Sequence, residues 1–75
     1  MKNRILIDPN VCHGKPVIKG TRVLISNLLA DLASGLSFDE IIANYPNITR
    51  ADIQAALSFA GELTQFETYP IENLK

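Results

Sequence analysis

Only one cysteine, Cys12, and one histidine, His13, occur in 75 residues. A single thiol excludes an internal disulfide and points to a reducing compartment. An adjacent Cys-His pair suggests a metal site or a nucleophile with its base. Sequence neighbours usually point apart, however, and no further Cys or His exists to complete a tetrahedral shell. Nothing nearby orients a triad, so a small buried thiol beside a turn histidine is expected. Long hydrophobic runs are also missing, and none reaches the roughly 20 residues needed to span a membrane. The stretch Met1 to Asp8 is too short for a signal peptide. A soluble, cytoplasmic protein with no membrane partner is expected. Paired carboxylates and a phosphate-cradling glycine loop are absent, since Gly14-Lys15-Pro16 lacks P-loop spacing. The chain therefore reads as a non-enzyme without metal or cofactor.

What is present is an ordinary globular composition, 47% apolar and 20% charged, in a chain that fits one domain. The net charge of −1 conceals a split. Residues 1–25 carry +4, from Lys2, Arg4, Lys15, Lys19 and Arg22 against Asp8, and residues 26–75 carry −5. A basic front can bind an anion such as nucleic acid. An evenly solvated surface is the alternative.

The basic residues centre on Gly14 to Ile25. Val17-Ile18 and Val23 with Ile25 flank the polar segment Lys19-Gly20-Thr21-Arg22, the pattern of a small hairpin turned at Gly20. Pro16 fits the first position of an edge strand. Upstream, Ile5-Leu6-Ile7 makes one short buried strand, closed by Asp8-Pro9-Asn10, and its expected neighbour is Val23 to Ile25.

Three helices follow. Ser26 can cap the first, through Ser34, with Leu28, Leu29 and Leu32 on its apolar face and Gly35 as its stop. Ser37 and Glu40 form a capping box, stapled by Leu36 and Ile41, for a helix to about Asn44 before Pro46. Thr49 and Asp52, with Ile48 and Ile53, repeat the device for a helix ending near Gly61 or Glu62. The last two form a helix–turn–helix candidate. Its second helix should bury Ile53, Ala56, Leu57 and Ala60, and turn Arg50, Ala51, Gln54, Ala55 and Ser58 outward. That face suits a DNA groove, with Gln54 on a base edge and Arg50 on a phosphate, or another protein helix. The tail from Leu63 to Lys75 spaces Phe66, Tyr69, Ile71 and Leu74 between Glu67, Pro70 and Glu72. It either packs on its own core or anchors a twin subunit or a different protein.

Together these residues resemble the domain-of-unknown-function family 433, grouped with VapB-type antitoxins. The resemblance rests on the segment Gly14-Lys15-Pro16-Val17-Ile18-Lys19-Gly20-Thr21-Arg22, with Asp8-Pro9 before it and Gly35, Tyr45-Pro46 and Ala56-Leu57 after it. It spans roughly residues 4–62. It implies a mainly α fold with a short β hairpin, a three-helix homeodomain-like or winged-helix-like domain containing a helix–turn–helix. The division implied is an antitoxin-like domain over 1–62 and a partner-binding or dimer-docking tail over 63–75. The implied role is the antitoxin of a toxin–antitoxin pair, which inhibits a PIN-like ribonuclease. A homodimer could also bind operator DNA through Lys15, Lys19, Arg22, Thr49, Arg50 and Gln54. Related antitoxins often push a basic side chain into the nuclease site. This tail offers only Lys75, so occlusion by Phe66, Tyr69, Ile71 and Leu74 is the expected mode. A homodimeric interaction module that binds no DNA is the alternative.

Overall fold

The computed structural model describes residues 4–65. The fold is mainly helical: strands β1 (Ile5–Leu6) and β2 (Val17–Ile18) precede helices α1 (Ile25–Ala33), α2 (Phe38–Asn44) and α3 (Arg50–Thr64). The strands pair antiparallel, Ile5 opposite Ile18 and Leu6 opposite Val17. The expected hairpin also forms. Thr21 N–H donates to the Ile18 carbonyl at 3.0 Å, Ile18 N–H to the Val23 carbonyl at 3.0 Å, and Val17 bridges Leu24. Gly20 has φ of +83°, at the turn position where a type II turn requires positive φ.

β2 therefore lies between β1 and the Val23-Leu24 stretch. This corrects the expected pairing of Ile5–Ile7 with Val23–Ile25. Val17 and Ile18 are 0% and 2% exposed, and such central apolar residues are where two neighbours contribute most. Pro16 stands just outside β2, and its carbonyl accepts from Ile25 N–H at 3.0 Å. That bond and the Leu24 bridge set the start of α1. Leu24 is its N-cap, with no side-chain cap, and Ser26 falls in the first turn instead of capping it. Ile7 lies outside β1 and is 57% exposed, so the predicted three-residue buried strand is shorter and more open.

α1 closes in a Schellman motif. Gly35 N–H donates to the Leu32 carbonyl and Leu36 N–H to that of Asp31, with Gly35 at φ of +99°. Both capping boxes form. Ser37 N–H donates to Glu40 Oε1 at 2.8 Å and Glu40 N–H to Ser37 Oγ at 3.1 Å. Thr49 N–H donates to Asp52 Oδ2 at 2.9 Å and Asp52 N–H to Thr49 Oγ1 at 3.3 Å. One core joins the sheet to all three helices through Ile18, Ile25, Leu28, Ile41, Ile48, Ile53 and Ala56.

α3 buries Asp52, Ile53, Ala55 and Ala56. Ala55, expected outward, is 1% exposed, and Leu57, expected inward, is 44% exposed. The cause is that α3 packs against α1 and α2 and also against β1. Contact on that further side rotates the buried arc away from Leu57 towards Asp52 and Ala55. α3 continues to Thr64, beyond the expected end at Gly61 or Glu62. Among the described residues no helix is long and apolar enough to cross a membrane.

Candidate functional site

The basic hairpin is built by two adjoining turns. The first, Cys12–Gly14, is left-handed, with φ of +51° at Cys12, +58° at His13 and +82° at Gly14. It ends with Lys15 N–H donating to the Cys12 carbonyl at 3.1 Å. The second is the Ile18–Thr21 turn, braced where Thr21 Oγ1 donates to the Ile18 carbonyl at 2.7 Å and accepts from Val23 N–H at 3.0 Å. Cys12 Sγ contacts the Arg22 carbonyl at 3.8 Å, which joins the two turns. Cys12 is thus half-buried rather than buried, and His13 is exposed. Between the turns lies an open depression lined by Leu6, Val11, Gly20, Thr21 and Arg22.

Lys15, Lys19 and Arg22 are all exposed on this surface. None has an ion-pair partner among the described residues. An exposed lysine or arginine with no carboxylate beside it is available to an external anion.

The helix–turn–helix residues differ. Arg50 Nη1 donates to Asp39 Oδ1 at 3.0 Å, and its guanidinium lies 4.9 Å from the centre of the Phe38 ring. Arg50 thus clasps the start of α2 to the start of α3. The Thr49 hydroxyl accepts from Asp52 N–H as the helix cap. Of the three, only Gln54 is exposed with its side chain bonded to none of the described residues. The α2 and α3 starts also carry Asp39, Glu40 and Asp52. The Ser37 backbone and hydroxyl bonds hold the Glu40 carboxyl below the usual carboxylate range, so it stays charged. Helix N-termini that normally attract anions are here already occupied by carboxylates.

The described candidates therefore fall into two groups. Lys15, Lys19 and Arg22 share the hairpin surface, whereas Thr49, Arg50 and Gln54 sit at the α3 start, two of them engaged in structure. Phe66, Tyr69, Ile71 and Leu74 lie outside the described residues. One pairing escaped sequence reasoning: Arg4 Nη1 donates to Asp52 Oδ1 at 3.0 Å, across 48 positions. Asp52 reads as a cap from sequence, and nothing local reveals its second partner. No group of three or more His, Cys, Asp or Glu able to hold a metal occurs among the described residues.

No curated protein matches this chain. A solved structure does: the crystal structure of a DUF433 member protein from Anabaena variabilis, 36% identical, with a TM-score of 0.76. The match covers 81% of this chain and 60% of that one, so the present chain spans about three fifths of that relative's length. The model of the family described as "Protein of unknown function (DUF433)" matches residues 5–60. With three quarters of its length inside that model and the same three-helix fold as a solved member, the chain belongs to the DUF433 family.

Proposed function

We propose that the chain works by binding rather than bond-making, as the antitoxin of a toxin–antitoxin pair. In this reading it holds a PIN-like ribonuclease and grips the phosphates of its operator with the basic hairpin. The nuclease arm rests on the family segment Gly14–Arg22. The DNA arm rests on one observation, the three exposed cations Lys15, Lys19 and Arg22, unpaired among the described residues, on joined, braced turns. Arg50, clasped to Asp39 and Phe38, is assigned to holding α2 on α3, and Gln54 is left as the base-edge contact.

The test is duplex binding to the upstream region over a range of salt. Each phosphate contact contributes about 0.9 to the slope of log affinity against log salt. Alanine at Lys15, Lys19 and Arg22 together should flatten the slope by about 2–3, and Arg50→Ala should leave it unchanged. A chain that shifts no duplex at low salt removes the DNA arm. Co-expression with the neighbouring gene product tests the nuclease arm, which fails if the two do not co-purify.

A second reading, a homodimeric module that binds no DNA, draws support from the exposure of Leu57 beside Gln54 on the outer side of α3. Leu57→Lys would then dissolve a dimer while leaving nucleic-acid binding untouched.

A further inference from the structure

The sheet ends at β1, and the outer edge of that strand is unspent. Arg4 directs its carbonyl to Lys19 N–H, at 2.7 Å, on the β2 side. Ile5 stands opposite Ile18, but Ile18 N–H turns the other way, to the Val23 carbonyl at 3.0 Å. Successive residues of a strand direct their backbone groups to opposite edges, so Ile5 presents its N–H and carbonyl away from β2. Among the described residues no strand pairs with that edge. An edge of this kind is a template for a further strand, and neither lysine nor proline stands between Arg4 and Asp8 to blunt it.

Beside the edge the core is open. On α3 the stripe Ala56, Phe59 and Leu63 recurs at helical spacing, yet exposure rises along it. Ala56 is fully buried, Phe59 is half-buried, and Leu63 is 55% exposed. Ile7 is 57% exposed. Ile5, Ile7, Phe59 and Glu62 line a groove of about 320 Å³.

We infer that this edge takes β1 of a second copy of the chain, antiparallel, across a two-fold axis at Leu6. Pairing carries the strand on to Ile7. Ile5 of each copy then lies opposite Ile7 of the other, and each such pair exchanges both of its backbone bonds. Charge selects this register. Arg4 of one copy comes opposite Asp8 of the other at both ends of the interface, and opposite charges directly across a ladder stabilise it. Arg4 spends Nη1 on Asp52 yet keeps 47% of its side chain exposed, and Asp8 accepts from Asn10 N–H through Oδ1, with Oδ2 left to an outside partner. A shift of two residues one way sets Pro9, which has no N–H, against Ile5. The opposite shift sets Arg4 against Leu6 and removes its charge partner. The favoured register also lays Ile7 of the second copy beside Ile5, at the groove that Phe59 lines, so exposed apolar surface of both copies leaves water together. An isologous contact closes on itself and does not propagate. It uses neither Leu57 nor the basic hairpin, and it stands whether or not the chain binds nucleic acid or a nuclease.

Sedimentation equilibrium of the full chain tests the contact, and crosslinking tests its register. The chain should sediment as a concentration-dependent dimer. Asp8→Arg sets like charges across both ends and should weaken the dimer by about tenfold. Ile7→Lys should abolish it. Ile7 is exposed in the single copy, so the fold should survive, which circular dichroism checks. Directly opposed residues of a non-hydrogen-bonded pair bring their Cα atoms to about 4.5 Å, within disulfide reach. With Cys12→Ser in place, Leu6→Cys should therefore crosslink two copies on oxidation, and Ile7→Cys should not. A chain that stays monomeric up to about 1 mM overturns the proposal. So does a dimer that survives Ile7→Lys, a dimer lost to Leu57→Lys instead, or crosslinking through Ile7→Cys without crosslinking through Leu6→Cys.

Discussion

Asp52 ties the residue before β1 to the start of α3, so its removal is the most informative single perturbation. Its carboxylate accepts from Thr49 N–H at 2.9 Å and from Arg4 at 3.0 Å, with its side chain only 10% exposed. Asp52→Ala removes half of a capping box, worth about 1 kcal/mol. It removes a favourable charge from the first turn of a helix, worth about 0.3–1 kcal/mol. The Arg4 pair adds less than about 1 kcal/mol, because the Arg4 side chain is 47% exposed and water screens it. Alanine returns about half a kcal/mol through its helix propensity. The net loss is about 0.8–2.5 kcal/mol, or about 3–20 °C in Tm for a domain of this size. Thermal unfolding followed by circular dichroism reads it directly. Arg4→Ala should cost less, under about 1 kcal/mol, since the cap survives. A loss below about 0.5 kcal/mol for Asp52→Ala, the scatter of an ordinary surface change, would refute the reasoning.

Ile53 is fully buried where α3 meets the core, so Ile53→Ala should cost about 2–5 kcal/mol. Against a total of roughly 4–11 kcal/mol for this length, its urea transition should shift to much lower concentration or vanish. Two glycines should respond with opposite sign. Gly61 lies within α3 with open space around it, so Gly61→Ala should stabilise by about 0.5–1 kcal/mol. Gly35 has φ of +99°, so Gly35→Ala should destabilise by about 1–2 kcal/mol despite equal room. Paired thermal melts decide both. Glu40 supplies a pH dependence of known sign. Its carboxyl is held low in the folded state, so the unfolded chain binds the proton more readily. The contribution is complete above the unfolded carboxylate range and is lost as pH falls through the folded value. Urea midpoints of the parent and Glu40→Gln should therefore converge on acidification, and a constant gap would contradict the capping role.

Helix starts were legible because their signals are local. Ser37 with Glu40 and Thr49 with Asp52 each satisfy both halves of a box three residues apart, and the intervening backbone leaves little choice. Gly35 was legible for the same reason, since a Schellman closure needs positive φ at one defined position. The start of α1 was not. Ser26 is a good cap by type, but the helix begins earlier because Pro16 and Val17 hold Ile25 and Leu24 from across the hairpin. Strand partners failed likewise: Ile5–Ile7 and Val23–Ile25 are both apolar and rich in β-branched residues, and composition does not say how either lies relative to Val17-Ile18.

The candidate site divides along the same line. Lys15, Lys19 and Arg22 fall within eight residues, so the hairpin alone was enough to place all three exposed at its two turns. The roles of Arg50 and Ala55 depended on elements far away in sequence. Arg50 reads as an exposed cation at the start of a helix, a natural phosphate contact, until Asp39 and Phe38 are brought beneath it by the α2–α3 turn. Ala55 reads as part of a smooth outer face until β1, from the far end of the described chain, packs against that flank of α3 and Arg4 reaches Asp52. The N-terminal strand therefore does two things at once. It fixes which side of α3 is core, and it leaves Leu57 with Gln54 and Arg50 on the exposed side. The exposed face of α3 is thus set in part by residues 4–6, and under the proposed DNA-binding role a change that detaches Arg4 from Asp52 should weaken duplex binding without touching Gln54.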